Sequence, residues 1–380
     1  MLHIPPLSLY IHIPWCVEKC PYCDFNSHKL RGELPEQDYL QALLDDLSND
    51  LVYVQGRSLT SIFIGGGTPS LISAAGIGWL LNEIEKKIPF KKEIEVTLEA
   101  NPGAIENQKI TDFKKAGITR FSFGVQSFQQ QKLTKLGRIH GPQEAKNAAK
   151  QAFAADVKTF NLDLMHGLPE QSLTDALQDL QTAIDLKPTH LSWYQLTIEP
   201  NTLYFSHPPT LPEEDLLWDI QEAGQKLLAE NGYRQYEISG YSKPGFECQH
   251  NLNYWYFGDY IGIGCGAHGK FTQPLENRII RCSKIKHPKG YLDPSRSFLN
   301  ESHSIAQEDL AFEYMMNRLR LFEPIPFREF EAYTGLPLSS IKQPIEKARA
   351  KKLLTENASS WQVTALGHRH LNELLTLFID

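Results

Sequence analysis

The 380-residue sequence predicts an α/β fold, an open, partial TIM-like (β/α)6 barrel followed by a mostly helical, winged-helix-like module. Three observations carry this expectation. Short β-rich runs alternate with amphipathic helical stretches, the pattern of parallel strands joined by crossover helices. Six such units precede Pro200, two fewer than a closed eightfold barrel needs. Right-handed crossovers would curl them into an open barrel, with a flat doubly wound sheet as the alternative. Polar side chains also recur where successive strands end, which is where such barrels carry their sites.

The first strand reads Leu7-Ser-Leu-Tyr-Ile-His-Ile13. A helix follows in which Tyr39, Leu40, Leu43, Leu44, Leu47 and Leu51 make one apolar stripe. Gly56 is expected to stop it, because glycine tolerates left-handed backbone. The second strand, residues 60–64, runs into Gly65-Gly-Gly-Thr-Pro69. Strands are expected over 94–99, 121–125, 160–165 and 191–197, with helices near 75–88, 107–116, 142–155 and 172–186. Beyond Pro200, His207-Pro-Pro leads to a helix near 212–231 closed by Gly232, and 233–239 reads as an added strand. The expected organisation is a barrel over 1–240, a Gly- and aromatic-rich connecting segment over 241–304, and the C-terminal module over 305–380.

Composition excludes several classes. With 41% hydrophobic and 22% charged residues the chain can bury a large core and is not a disordered polymer. Thirty-eight basic against 45 acidic side chains give a net charge of −7 with no basic arm, so no nucleic-acid partner is expected. Arg349, Lys351 and Lys352 are the one tight basic group of the C-terminal module, for which covering a substrate or docking an acceptor is the preferred role. No apolar run reaches the length of a spanning helix, and the N-terminal residues lack the charged and apolar regions of a secretory signal. The expectation is a cytoplasmic chain with reduced thiols and no transmembrane segment.

Against that background the cysteines stand out. Three of the six, Cys16, Cys20 and Cys23, fall in an eight-residue window just after the first strand. Three thiolates on a short loop suit a 4Fe–4S cube whose fourth iron has no protein ligand. Zinc obeys the same softness rule, with His12 or His28 as the fourth ligand it would need. Glu99, Gln126 and Asp163 lie at or near the ends of later strands and read as a barrel-mouth site. In Gly262-Ile-Gly-Cys-Gly-Ala-His268, Cys265 reads as a packing residue, and His268 reads as a turn histidine with lining of the SAM or heme pocket as the alternative. Cys248 and Cys282 have no partner at ligand spacing.

Tyr10-Ile-His-Ile-Pro-Trp-Cys16, with Cys20-Pro-Tyr-Cys23, resembles the signature of the radical S-adenosylmethionine (SAM) superfamily. The resemblance implies that SAM chelates the open iron through its amino and carboxylate groups. It assigns Gly66, Gly67 and Thr68 to the methionyl amino group, and Glu99, Gln126, Arg138 and Asp163 to polar SAM contacts. Among those contacts Arg138 would face the carboxylate and Asp163 the ribose, while Tyr10 and Tyr22 flank the cluster. The segments Gly124-Val-Gln-Ser-Phe128, Leu136-Gly-Arg-Ile-His140 and Asn161-Leu-Asp-Leu-Met-His-Gly-Leu-Pro169 are similar to the oxygen-independent coproporphyrinogen III oxidase group, over nearly the whole chain.

Two departures separate the sequence from the oxidase. Phe25 stands where the oxidase has a further cysteine, and the N-terminal extension is shorter, with 15 residues before Cys16. Both match the heme-chaperone branch of the group, whose HNxxYW motif is present as His250-Asn251-Leu-Asn-Tyr254-Trp255. Imidazole is a common axial ligand and aromatics cover the macrocycle, so His250, Asn251, Tyr254 and Trp255 are the implied heme contacts. The resemblance thus implies heme trafficking beside a SAM-bound cluster, with respiratory enzymes as acceptors, bacterioferritin-like donors, membrane-peripheral encounters and room for a homodimer. It assigns no catalytic residue and leaves SAM turnover open. The alternatives are the oxidase itself and a zinc-stabilised binding protein.

Overall fold

The computed structural model describes residues 2–104 and 107–379. A parallel strand covered on both faces needs a nearly continuous apolar run. The first strand, β1 (Leu7–Ile13), meets this condition, since every residue but Tyr10 is buried. It pairs with β2 (Leu59–Gly66), and β3 (Phe90–Ala100), β4 (Arg120–Gln126), β5 (Thr159–His166) and β6 (His190–Gln195) follow in order, all parallel. These are the six expected strands. The crossover helices Glu36–Asp50, Ala74–Lys87, Asn107–Lys115, Pro142–Ala154 and Leu173–Asp185 lie between them. A further helix, Gln130–Lys135, is too short to leave a readable apolar period.

Three differences from expectation have physical causes. The first helix ends at Asp50 and tightens into a 3-10 turn, Leu51–Tyr53, so Gly56 (φ +74°) shapes the turn beyond it instead of capping the helix. The strand expected over 233–239 is instead a hairpin of β7 (Arg234–Gln235) and β8 (Gly240–Ser242). Between those strands the buried Glu237 carboxylate accepts from the Ser239 amide and hydroxyl and folds the chain back.

The third difference concerns 241–304, which is more than a connecting segment. After the helix Gln249–Trp255 it forms β9 (Asp259–Ile263), β10 (His268–Gln273), β11 (Arg278–Lys284) and β12 (Leu299–Ser304). All of them join the main sheet, whose order is β12-β11-β10-β9-β1-β2-β3-β4-β5-β6-β8-β7. The sheet is therefore mixed and open, and β9 runs parallel to β1 as a seventh parallel strand. Its glycines allow close strand contact: a Cβ on Gly262 would overlap the His268 carbonyl oxygen.

Buried ion pairs fasten this extension to the barrel. Asp259 accepts from Arg57 (2.8 Å), Lys270 (3.2 Å) and the Thr272 amide (2.9 Å). On β11, Lys284 reaches Asp46 (2.5 Å) and Asp50 (2.8 Å) of the first helix, and Asp46 also accepts from Tyr291 (2.7 Å).

The C-terminal module has the expected order of helices and hairpin. Helices Leu310–Arg318, Phe327–Thr334 and Lys342–Ala350 precede a hairpin of Leu354–Glu356 and Ser360–Val363, to which Ile325–Pro326 adds a third strand. Its own core, around Tyr314, Phe330 and Trp361, also takes in Leu2, Phe257 and Ile279. Buried Arg318 pairs with Glu323 and Glu329 and lies over the Tyr256 ring at 4.9 Å, joining the module to the helix that carries the HNxxYW segment. No helix among the described residues is long and apolar enough to cross a membrane.

Candidate cluster and SAM site

In parallel α/β sheets, ligands sit beyond the carboxyl ends of the strands. Here the chain leaves β1, makes the cysteine loop, and returns through a two-residue parallel pairing of Trp15–Cys16 with His28–Lys29. That pairing closes the loop at its base and fixes where the three cysteines start. Cys16, Cys20 and Cys23 all line a cavity of about 430 Å³ at the strand ends. The same cavity is lined by Tyr22, Gly66, Gly67, Thr68, Glu99, Gln126, Arg138 and Asp163, so the proposed SAM residues other than Tyr10 converge on it.

The three thiols fit a cluster better than a single metal ion. No group of three His, Cys, Asp or Glu side chains among the described residues closes around one metal-sized point. Neither histidine suggested for zinc is free to complete a tetrahedron with both nitrogens. His12 is buried, with Nδ1 3.0 Å from the Tyr10 hydroxyl and Nε2 2.9 Å from the Asn26 carbonyl, and burial lowers its pKa to about 4. His28 places Nε2 3.1 Å from the Lys286 carbonyl. Burial raises the thiol pKa of Cys16 and of Cys23, so loading a cluster there releases protons.

The glycine segment works differently from a cradle of free amides. The Gly66 amide donates to Glu99, the Gly67 amide to the Ile13 carbonyl and the Thr68 amide to the Trp15 carbonyl. An amino group entering here meets a loop whose amides are already used, which suits a donor seeking carbonyls. Gly67 is required sterically, since a Cβ there would lie 2.5 Å from the Trp15 oxygen and 3.0 Å from Cys16 Sγ.

Around these groups the charges are arranged deliberately by burial. Glu99 is buried beside Asp163, and desolvation followed by that neighbour pushes its pKa up to about 8, so it is mostly protonated at neutral pH. Asp163 is held by Ser122 (2.9 Å) and Asn161 (2.8 Å), and burial raises its pKa too. Arg138 donates to Asn101 and the Gly124 carbonyl (both 2.6 Å) and lies 3.5 Å from Cys20 Sγ. Its Nε is buried without a partner. Gln126, with a left-handed φ of +67°, accepts from Tyr194 at 2.9 Å.

Tyr10 lies elsewhere. It lines a second cavity of about 660 Å³ that shares Asp24, Phe25, Ser27, Gly66 and Glu99 with the first. Phe25 is 58% exposed on the lip between the two and presents an apolar ring there.

The implied heme contacts divide between surroundings. His250 is 1% exposed and lines neither cavity. Its Nδ1 is 3.0 Å from Ser61 Oγ and its Nε2 2.9 Å from the Tyr254 hydroxyl, so both ring nitrogens are occupied. As the chain stands, the ring therefore presents no free nitrogen to either cavity. Tyr254 does reach the second cavity, Asn251 is half-buried on the same helix, and Trp255 faces a smaller cavity of about 270 Å³ with Arg320 over its ring. Cys265 is buried with Sγ donating to the Lys286 carbonyl, in keeping with the packing role expected of it, and Cys248 is buried beside Glu95.

His268 opens β10 just past the end of β9, at the end of the sheet where the cysteine loop lies, and it lines the second cavity, the alternative to a simple turn position.

Comparison with known proteins agrees with this geometry. Residues 10–181 match the family model of the radical SAM superfamily, and residues 305–369 that of the HemN C-terminal domain. The chain is 57% identical over 379 residues to the heme chaperone HemW of Escherichia coli, covering 100% of both chains. The chain belongs to the HemW family. It is also 56% identical to the HemW of Haemophilus influenzae (100% of this chain, 99% of the relative) and 32% identical to that of Bacillus subtilis (93% of each). Among solved structures, the radical SAM enzyme coproporphyrinogen III oxidase (HemN) of E. coli superposes with a TM-score of 0.84 at 22% identity, covering 99% of this chain and 90% of that one. That likeness establishes a shared fold.

Proposed function

We propose that this HemW-family chain binds heme and passes it to heme-requiring proteins, beside a 4Fe–4S cluster held by Cys16, Cys20 and Cys23. The observation that carries the reading is the position of Tyr254. The HNxxYW segment places it in the wall of a cavity that shares Gly66 and Glu99 with the cavity of the cysteines, so a tetrapyrrole there would lie next to the cluster. A cluster with one open iron supplies a site for SAM and a source of single electrons.

The chain's own residues would then do the following. Gly66, Gly67 and Thr68 receive the amino end of SAM and Arg138, in the wall of the same cavity, its carboxylate. Asp163, with Ser122 and Asn161 fixing both its oxygens, takes the ribose, and Gln126 and neutral Glu99 complete the polar wall. Tyr22 covers the cluster from the Tyr204 side. Phe25 offers an apolar edge where the oxidase has a thiol. Respiratory enzymes as acceptors, bacterioferritin-like donors, a cytoplasmic setting with membrane-peripheral encounters, and a dimer gated by cluster and SAM belong to the same proposal.

Anaerobically reconstituted protein titrated with hemin should bind it saturably, with a heme difference spectrum that depends on an intact cluster. Hemin binding that is absent from both the reconstituted and the cluster-free protein would refute the reading.

A further inference from the structure

We propose that His268 ligates the heme iron in the second cavity, and that His250 is a positioning residue that holds Tyr254 in that cavity's wall. The proposal rests on the heme-binding reading above and says where the iron sits.

An axial histidine must bring a lone pair to the iron across a wide, flat macrocycle. Nε2, remote from Cβ, is the ring nitrogen that can do so without the backbone striking the porphyrin. Three histidines line the cavity: His12, His28 and His268. Nε2 of His12 is engaged by the Asn26 carbonyl and Nε2 of His28 by the Lys286 carbonyl. His250, outside the cavity, has Nε2 engaged by Tyr254. His268 is exposed, and among the described residues neither of its ring nitrogens has a hydrogen-bond partner.

The rest of the wall matches the other parts of a heme. At about 660 Å³ the cavity falls in the range of ligand sites. Tyr254, Tyr260 and Phe25 present ring surface to an apolar macrocycle. Lys19 and Lys286 are exposed at the rim, placed for the two propionates, and charge-assisted bonds of that kind are the strong ones. The acids on the wall are Asp24 and Glu99.

The backbone supports the same assignment. β9 is parallel to β1, so the turn that ends in His268 lies at the same end of the sheet as the cysteine loop. Asn26 clamps the two together by donating to the Cys265 and Lys286 carbonyls, both at 2.9 Å. His250 acts from behind: with Ser61 on one nitrogen and Tyr254 on the other, it fixes the Tyr254 hydroxyl from the buried side. The motif histidine thus shapes the cavity, while the ligand comes from a different segment.

The test is hemin titration of reconstituted wild-type, His268→Ala and His250→Ala proteins, read by difference spectra and ferric-heme EPR. His268→Ala should lose imidazole ligation and bind at least about tenfold more weakly, and added imidazole should restore the wild-type spectrum. His250→Ala should weaken binding, by about 10- to 100-fold at most, yet keep the imidazole signature. Unchanged affinity and spectrum in His268→Ala, or loss of the signature in His250→Ala alone, would overturn the assignment while leaving heme binding intact. A wild-type protein that binds no hemin would instead overturn the reading on which it rests.

Discussion

Replacing any one of Cys16, Cys20 or Cys23 by Ala is expected to abolish the visible iron–sulfur charge-transfer band of anaerobically reconstituted protein and bring bound iron close to background. The three thiols share one cavity, and among the described residues no fourth thiol lines it. His12 is locked between Tyr10 and Asn26, and the Nε2 of His28 is engaged by Lys286. Cys248, Cys265 and Cys282 are buried and line neither cavity, so none can take over the vacated iron. The Cys282→Ala protein should accordingly reconstitute like wild type. Iron analysis and the absorption spectrum of the four variants check this together. A Cys20→Ala protein that kept its full iron content would show that Cys20 is not a ligand.

The second large effect is on stability. Lys284→Met is expected to cost about 3–5 kcal/mol, because removing one partner of a buried ion group leaves the others uncompensated. Asp46 and Asp50 would then lie in the interior with no cation, Asp46 keeping only Tyr291 and the Gly264 amide. Burial already raises the pKa of both carboxyls with Lys284 present. An acid whose folded pKa is raised binds its proton more tightly when folded, so its contribution is complete at low pH and is lost as pH rises through the folded value. The variant should therefore lose stability more steeply than wild type as pH rises above the normal carboxyl range. Urea unfolding at two pH values measures this, and Asp46→Asn with Asp50→Asn in the Lys284→Met background should recover much of the loss. A Lys284→Met protein as stable as wild type would mean that the triad contributes nothing.

The parts of the molecule that were legible in the sequence are those with strong local patterns. β1 is legible to its bounds because Leu7, Leu9, Ile11 and Ile13 alternate without a break, and the first helix is legible from its Tyr39–Leu47 stripe. The cysteine spacing located the loop, and the ends of β2 to β5 located Gly66, Glu99, Gln126 and Asp163 around one cavity. What escaped was non-local. β9 looks like a glycine linker until β1 is placed beside it, and the reason for Gly262 is the carbonyl of a residue on the adjacent strand. The hydrogen-bond partners of the histidines were likewise invisible. Which histidine is engaged depends on Ser61, Tyr254, Asn26 and Lys286, brought together only by folding. A motif can mark the neighbourhood of a site without naming the atom that performs its chemistry.

The central claim is that this chain carries heme and does not make its precursor. The most direct measurement incubates the reconstituted, reduced protein with SAM and coproporphyrinogen III, and follows the tetrapyrrole by mass spectrometry, with hemin binding measured on the same preparation. The account predicts saturable hemin binding and a coproporphyrinogen that keeps all its propionates. Conversion of two propionates to vinyl groups, with SAM consumed in step, would contradict it and make the protein an oxidase.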